Sequence, residues 1–91
     1  MPRYLIERTF PDDNLALPDL TREGQARLTL VENNTLETVT WIHSYLALDR
    51  KKSFCLYDAP GPEAIRRAAQ RNGLPVDRIT EVRVLDPYGR I

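Results

Sequence analysis

Ninety-one residues, 42% apolar and 29% charged, fit one globular domain spanning residues 1–91, with a core of modest size. Lys plus Arg equals Asp plus Glu at 13 each, which argues against nucleic acid as the main partner, because phosphate binding needs a basic surface. No apolar run approaches the roughly 20 residues that span a membrane, the start "MPRYLIERTF" lacks a signal-peptide core, and a single cysteine forms no internal disulfide, so a cytoplasmic, reduced setting is expected.

Residues 3–10, "RYLIERTF", predict the first strand. Tyr4, Ile6 and Phe10 share one parity, and Leu5, Glu7 and Thr9 share the other. Pro11 ends it, and "PDDNLALPD" reads as a turn-rich connection. Asp19 or Thr21 can cap a helix through "LTREGQARLTLVENN", where Leu20, Gly24, Leu28 and Val31 recur at helical spacing. Gly24 weakens that helix by roughly 1 kcal/mol against Ala, which close packing on the sheet would explain. Asn33 and Asn34 read as its stop.

Residues 37–47 are β-branched and aromatic and predict the second strand. After the polar turn "LDRKK", residues 53–58 predict the third, and the two form a hairpin. Pro62 at the first helical position, Glu63 in the first turn and Gly73 just past the end delimit a second helix, "PEAIRRAAQRNG". Its inward stripe is Ala64, Ile65, Ala68 and Ala69. Arg66, Arg67, Gln70 and Arg71 point outward and read as a solvated basic face. "DRITEVRVLDP" is the last strand, followed by the short tail "YGRI".

The order β-α-β-β-α-β is the ferredoxin-like α+β pattern: a four-stranded antiparallel sheet with two helices on one face. Parity splits the second strand into Val39, Trp41, His43 and Tyr45 against Ile42 and Leu46. It splits the third into Cys55 and Tyr57 against Phe54 and Leu56. Both sheet faces thus carry large apolar groups, whereas two helices cover only one. The other face is expected to be covered by a second copy, giving a homodimer of the dimeric α+β-barrel kind. By strict alternation Trp41, His43, Tyr45, Cys55 and Tyr57 share a face, with Glu7 nearby. Aromatic walls with a few polar groups are what a small site needs.

Each of these residues also has a plain structural reading. His43, the only histidine, is a metal ligand, an acid–base group or a packed histidine. Cys55 is a thiolate ligand or a buried, inert thiol. Glu7 is a ligand, a base or half of an ion pair with an arginine such as Arg83. Trp41, Tyr45 and Tyr57 line a pocket or fill a core. Asp58 reads as a strand-end residue that orders the turn. No Cys-pair zinc motif, Gly-rich phosphate loop or GxSxG turn is present.

The runs W-x-H-S-Y, F-C-x-Y-D-A-P and G-L-P-V-D-R-I-T-E-V, with "RYLIERTF" ahead of them, resemble a small bacterial protein family grouped as a domain of unknown function. The resemblance covers residues 3 to 87. The family's described member is a nickel-binding protein with a dimeric ferredoxin-like fold, taken to act as a nickel sink. The resemblance therefore implies a homodimer that binds nickel or another divalent metal in storage or homeostasis. It implies His43 as a metal ligand, with Glu7 and Cys55 as matching donors and Trp41, Tyr45 and Tyr57 lining the pocket. Ligand types alone do not select nickel over copper. Two other readings compete. One is a cofactor-independent enzyme of the dimeric α+β-barrel type (isomerase, cyclase or monooxygenase-like), with His43 and Glu7 as acid and base on a small organic molecule. The other is an interaction module that binds a protein through an open sheet face.

Overall fold

The computed structural model describes residues 1–10, 25–49 and 51–89. The expected connection at 11–19, the capping candidates Asp19 and Thr21, Gly24 and the tail residues Arg90 and Ile91 lie outside them.

The elements are β1 (Arg3–Thr9), α1 (Gln25–Leu36), β2 (Thr40–Leu46), β3 (Lys52–Asp58), α2 (Pro62–Asn72) and β4 (Arg78–Val82). The strands form one sheet in the order β2-β3-β1-β4, with every neighbouring pair antiparallel. This is the ferredoxin-like arrangement, with β3 and β1 at the centre and β2 and β4 at the edges.

The inner face of the sheet is set by β1 and β3. Tyr4, Ile6 and Arg8 of β1 and Ser53, Cys55 and Tyr57 of β3 are all buried, and each alternates with a half-exposed neighbour. The alternation follows from the pleat, which sends successive side chains to opposite faces. Against Tyr4, Ile6, Cys55 and Tyr57 pack Val39, Ala59, Ala64, Ile65 and Ala68. Three of the four inward positions of α2 are alanines, so the helix lies close to the sheet and Ile65, 1% exposed, fills the gap.

α2 begins with Pro62 in its first turn and ends at Gly73, whose φ of 67° and ψ of 32° are left-handed. The backbone N–H groups of Gly73 and Leu74 close the last turn on Gln70 O and Ala69 O. A side chain at Gly73 would meet no neighbouring atom, so the glycine is needed for its backbone angle rather than for space.

Three expectations are corrected. α1 runs on through Asn33 and Asn34 to Leu36. Its buried positions are Leu30 and Asn34, one turn apart, while Leu28 and Val31 are 52% and 47% exposed. The amide of Asn34 is drawn inward because Asn72 of α2 donates to its Oδ1 at 3.2 Å, and Asn33 donates to Asn72 in turn at 2.8 Å. The second strand is shorter than 37–47, since Glu37 and Thr38 turn the chain from α1 into β2. Thr38 takes a φ of 61°, and Val39 N–H returns to Asn34 O at 2.8 Å. The last strand stops at Val82 instead of reaching residue 87. Val82 faces Arg3, the first residue of β1, so among the described residues no strand lies opposite residues 83–86.

The outward arginines of α2 are exposed as expected, but two of them are engaged. Arg67 and Arg71 both donate to Glu37, at 2.7 and 2.6 Å, and fasten the α1–β2 turn to α2. These two bonds hold the Glu37 carboxyl below its usual range.

Candidate functional site

The two sheet faces differ from the strict-parity expectation at one position. Trp41 pairs with Tyr57, but His43 pairs with Leu56, so one extra residue, Ile42, is bulged out between them. A bulge opposes two residues to one and reverses the alternation beyond it. Residues directly opposite one another in a ladder point to the same side. Trp41 therefore lies on the inner face with Cys55 and Tyr57, whereas His43 and Tyr45 lie on the outer face beside Leu56 and Phe54. Trp41, His43, Tyr45, Cys55 and Tyr57 do not share a face. Strict alternation fails because β2 takes one more residue than β3 over the same length.

The outer face carries His43 and Tyr45 on β2, Phe54, Leu56 and Asp58 on β3, and Arg3, Leu5 and Glu7 on β1. His43 is exposed, and its ring meets Tyr45 edge-on at 5.2 Å with an interplanar angle of 89°. Glu7 sits opposite Phe54 on one side and Arg78 on the other. The whole of β3 separates it from His43, and His43 lies level with Leu5 across Leu56, two residues along from Glu7, so the two backbones stand roughly 12 Å apart. Leu5, Phe54 and Leu56 between them are half-buried, and Tyr45 is 62% exposed. Asp58 is more than a strand-end residue: it accepts from Arg3 Nε at 3.0 Å. Beside this pair an open groove of about 580 Å³ runs along Met1, Pro2, Val82 and Val84.

The inner face holds a polar group that the sequence reading missed. Arg8 is 2% exposed. Its Nη1 donates to Pro75 O at 2.7 Å, its Nη2 to the Tyr57 hydroxyl at 3.3 Å, and its guanidinium lies 5.9 Å from the Tyr57 ring centre. Burial pushes the Tyr57 phenol up, and the Arg8 charge opposes it. Asn34 lies beside the phenol and also favours its ionised form. Trp41 Nε1 donates to Ser44 Oγ at 2.9 Å, and Cys55 Sγ lies 3.8 Å from Ser53 Oγ. The signal for Arg8 was its parity: it falls between Ile6 and Phe10 on the apolar side of β1.

Of the three donors that the resemblance implies, the structure brings His43 and Glu7 to one face and places Cys55 on the other, buried under the helices. Among the described residues no group of three or more His, Cys, Asp or Glu side chains is gathered closely enough to hold an ion. Imidazole nitrogen and carboxylate oxygen are suitable nickel donors. The two fit the metal in type and fall short in number among the described residues. No described helix is long and apolar enough to cross a membrane.

The comparisons with known proteins agree with the fold. The crystal structure of SCO4226 from Streptomyces coelicolor A3(2) matches with a TM-score of 0.67, covering 90% of this chain and 96% of that one at 21% identity. Among curated proteins none matches the chain. The family described as "Nickel responsive protein SCO4226-like" matches residues 4–82, from the second residue of β1 to the end of β4. A match over that much of a 91-residue chain makes this protein a member of the SCO4226-like family of nickel responsive proteins.

Proposed function

We propose that the chain is a small cytoplasmic nickel-binding protein of metal storage or homeostasis, acting as a homodimer joined through the outer sheet face. The observation that carries this reading is the position of the only histidine. In a member of a nickel responsive family, His43 stands exposed on the same sheet face as Glu7. His43 would supply nitrogen and Glu7 oxygen, with water or the same groups of a second copy completing the shell. Support for the dimer comes from Leu5, Phe54 and Leu56, which one chain leaves half-exposed in the middle of its sheet. Burying them would favour association. Cys55 lies on the other face and has no part in this reading.

The experiment is metal analysis of tag-free protein purified without metal resin, followed by titration with nickel, copper, cobalt and zinc. Saturable micromolar nickel binding is expected, and His43→Ala should abolish it while leaving the circular dichroism spectrum unchanged. Equal stoichiometry and affinity in that variant would remove His43 from the site. Light scattering across a dilution series tests the dimer: a mass that stays at one chain at high concentration rules it out.

A further inference from the structure

Among the described residues β4 pairs with β1 on one side only, so it is an edge strand. The backbone groups along such an edge are a template for another strand. The chain runs on past Val82 without a turn until Pro87 and Tyr88, where the Gly89 N–H closes on Asp86 O at 3.0 Å. Val84 and Leu85 stand exposed in this stretch. Residues 78–86 thus present one edge that is longer than β4 itself.

The sequence of that edge, "RITEVRVLD", complements itself when it is reversed about Val82. Laid antiparallel on a second copy, Val82 faces Val82, Glu81 faces Arg83, Thr80 faces Val84, Ile79 faces Leu85 and Arg78 faces Asp86. Every charged side chain meets the opposite charge, and every apolar one meets an apolar side chain or a threonine. Directly opposed pairs of this kind stabilise a ladder, and like charges weaken it. Opposed residues also share a sheet face, so a two-fold axis between edges passes through a residue that faces its own copy. Moving that centre one residue either way sets Arg83 against Ile79 or Glu81 against Leu85, a charge on an apolar side chain. The Asp86 carboxylate also accepts the Tyr88 N–H through Oδ1 at 2.9 Å, and a carboxylate has capacity for an arginine besides.

We propose that the β4 edge is a self-association surface, in which residues 78–86 of two copies pair antiparallel about Val82 and join two four-stranded sheets into one. The contact runs along the edge and leaves Leu5, Phe54 and Leu56 uncovered, so it stands or falls independently of a dimer through the outer sheet face.

Val82→Cys in the full-length protein sets a thiol opposite its own copy, at the roughly 4.5–5.5 Å Cα separation of an antiparallel pair, which a disulfide spans. Thr80→Cys lies on the same face of β4, but its copy would stand roughly 14 Å away. Under mild oxidation with diamide, Val82→Cys should form covalent dimers at least about tenfold faster than Thr80→Cys. Cys55 is buried, and the natural chain controls for it. Adding Arg83→Glu should slow the cross-link roughly tenfold, because both contacts with Glu81 become repulsive. Adding Glu81→Arg as well should restore it. Glu81 sits opposite Tyr4 on the inner side of the sheet, so a dimer made through the outer face alone would not respond to this exchange. Leu85→Lys needs no cysteine, and it changes a residue too exposed to matter to one chain. It should lower the mass seen by sedimentation at high protein concentration. Equal cross-linking of the two cysteine variants, no slowing by Arg83→Glu, no recovery in the double exchange, or an unchanged mass in Leu85→Lys would overturn the proposal.

Discussion

Ile6 and Leu5 are adjacent in β1, yet the two sheet faces they point to do different things. On the inner face Ile6 is fully buried among Tyr4, Cys55, Tyr57 and the alanines of α2. On the outer face Leu5 is half-exposed between Leu56 and Thr80. The inner face settles which fold the chain adopts, because its burial is completed by the chain's own helices. The outer face leaves Leu5, Phe54 and Leu56 half-exposed among the described residues, and it carries the only histidine. The fully sequestered cation, Arg8, is inside, and the free imidazole is outside.

The contrast can be broken first by truncating the two neighbours. Ile6→Ala should cost about 2–5 kcal/mol, the range for emptying a core site. Leu5→Ala should cost about 1 kcal/mol or less in dilute solution, since it has less area to lose. Urea midpoints measure both. If the two costs are equal in dilute solution, the faces are equivalent and the distinction is wrong. A Leu5→Ala cost that grows with protein concentration would point instead to association through that face.

Tyr57→Phe probes the polar interior without changing its shape much. It strips an acceptor from Arg8, and a buried donor left unpaired costs about 1–3 kcal/mol. A neutral result would mean that water replaces the phenol oxygen at once.

A smaller effect is expected at Glu37, outside both faces. Its folded pKa is lowered by Arg67 and then Arg71, so its contribution is complete above the ordinary glutamate range and is lost as pH falls through the lowered value. The natural chain should therefore lose stability on acidification more steeply than Glu37→Gln. Parallel pH profiles would show that the clamp carries no net stability. The smallest effect belongs to Asp58→Asn, which removes the Arg3 pair on the outer face. Both partners are partly exposed, so the change should be slight and should vanish in high salt. A large loss at high salt would show that Asp58 supports the turn after β3 rather than the ion pair.

The element order was legible because each element writes its own period. Proline, glutamate and glycine bracket α2, and its alanine stripe falls where 3.6 residues per turn puts it. β1 and β3 alternate without interruption, so their faces could be read directly. β2 could not, because a bulge leaves no mark in composition: Ile42 is as good a strand residue as any of its neighbours. The end of β4 was illegible for a different reason. Val84 and Leu85 have the propensity for a strand, but they are 52% and 78% exposed beyond Val82, which already faces Arg3, the first residue of β1. Leu28 and Val31 were misleading in the same way, since helical spacing marks a stripe without saying which stripe faces inward. At the candidate site His43 and Glu7 were legible as residues, but their common face was not, because strict alternation grouped His43 with Cys55. The separation of Cys55 from them followed only from the register.

The bulge at Ile42 acts on β2 as a change of phase. Ahead of it the strand is in step with the core and delivers Trp41 to it. Beyond it the strand is in step with the exterior and delivers His43 and Tyr45 there. One seven-residue strand thereby serves two chemically unlike surfaces without lengthening the hairpin. The spacing W-x-H is therefore informative in itself. A related chain without the bulge would need one residue fewer between these two rings to keep both in place, and with the spacing unchanged it would have to turn one of them to the wrong side.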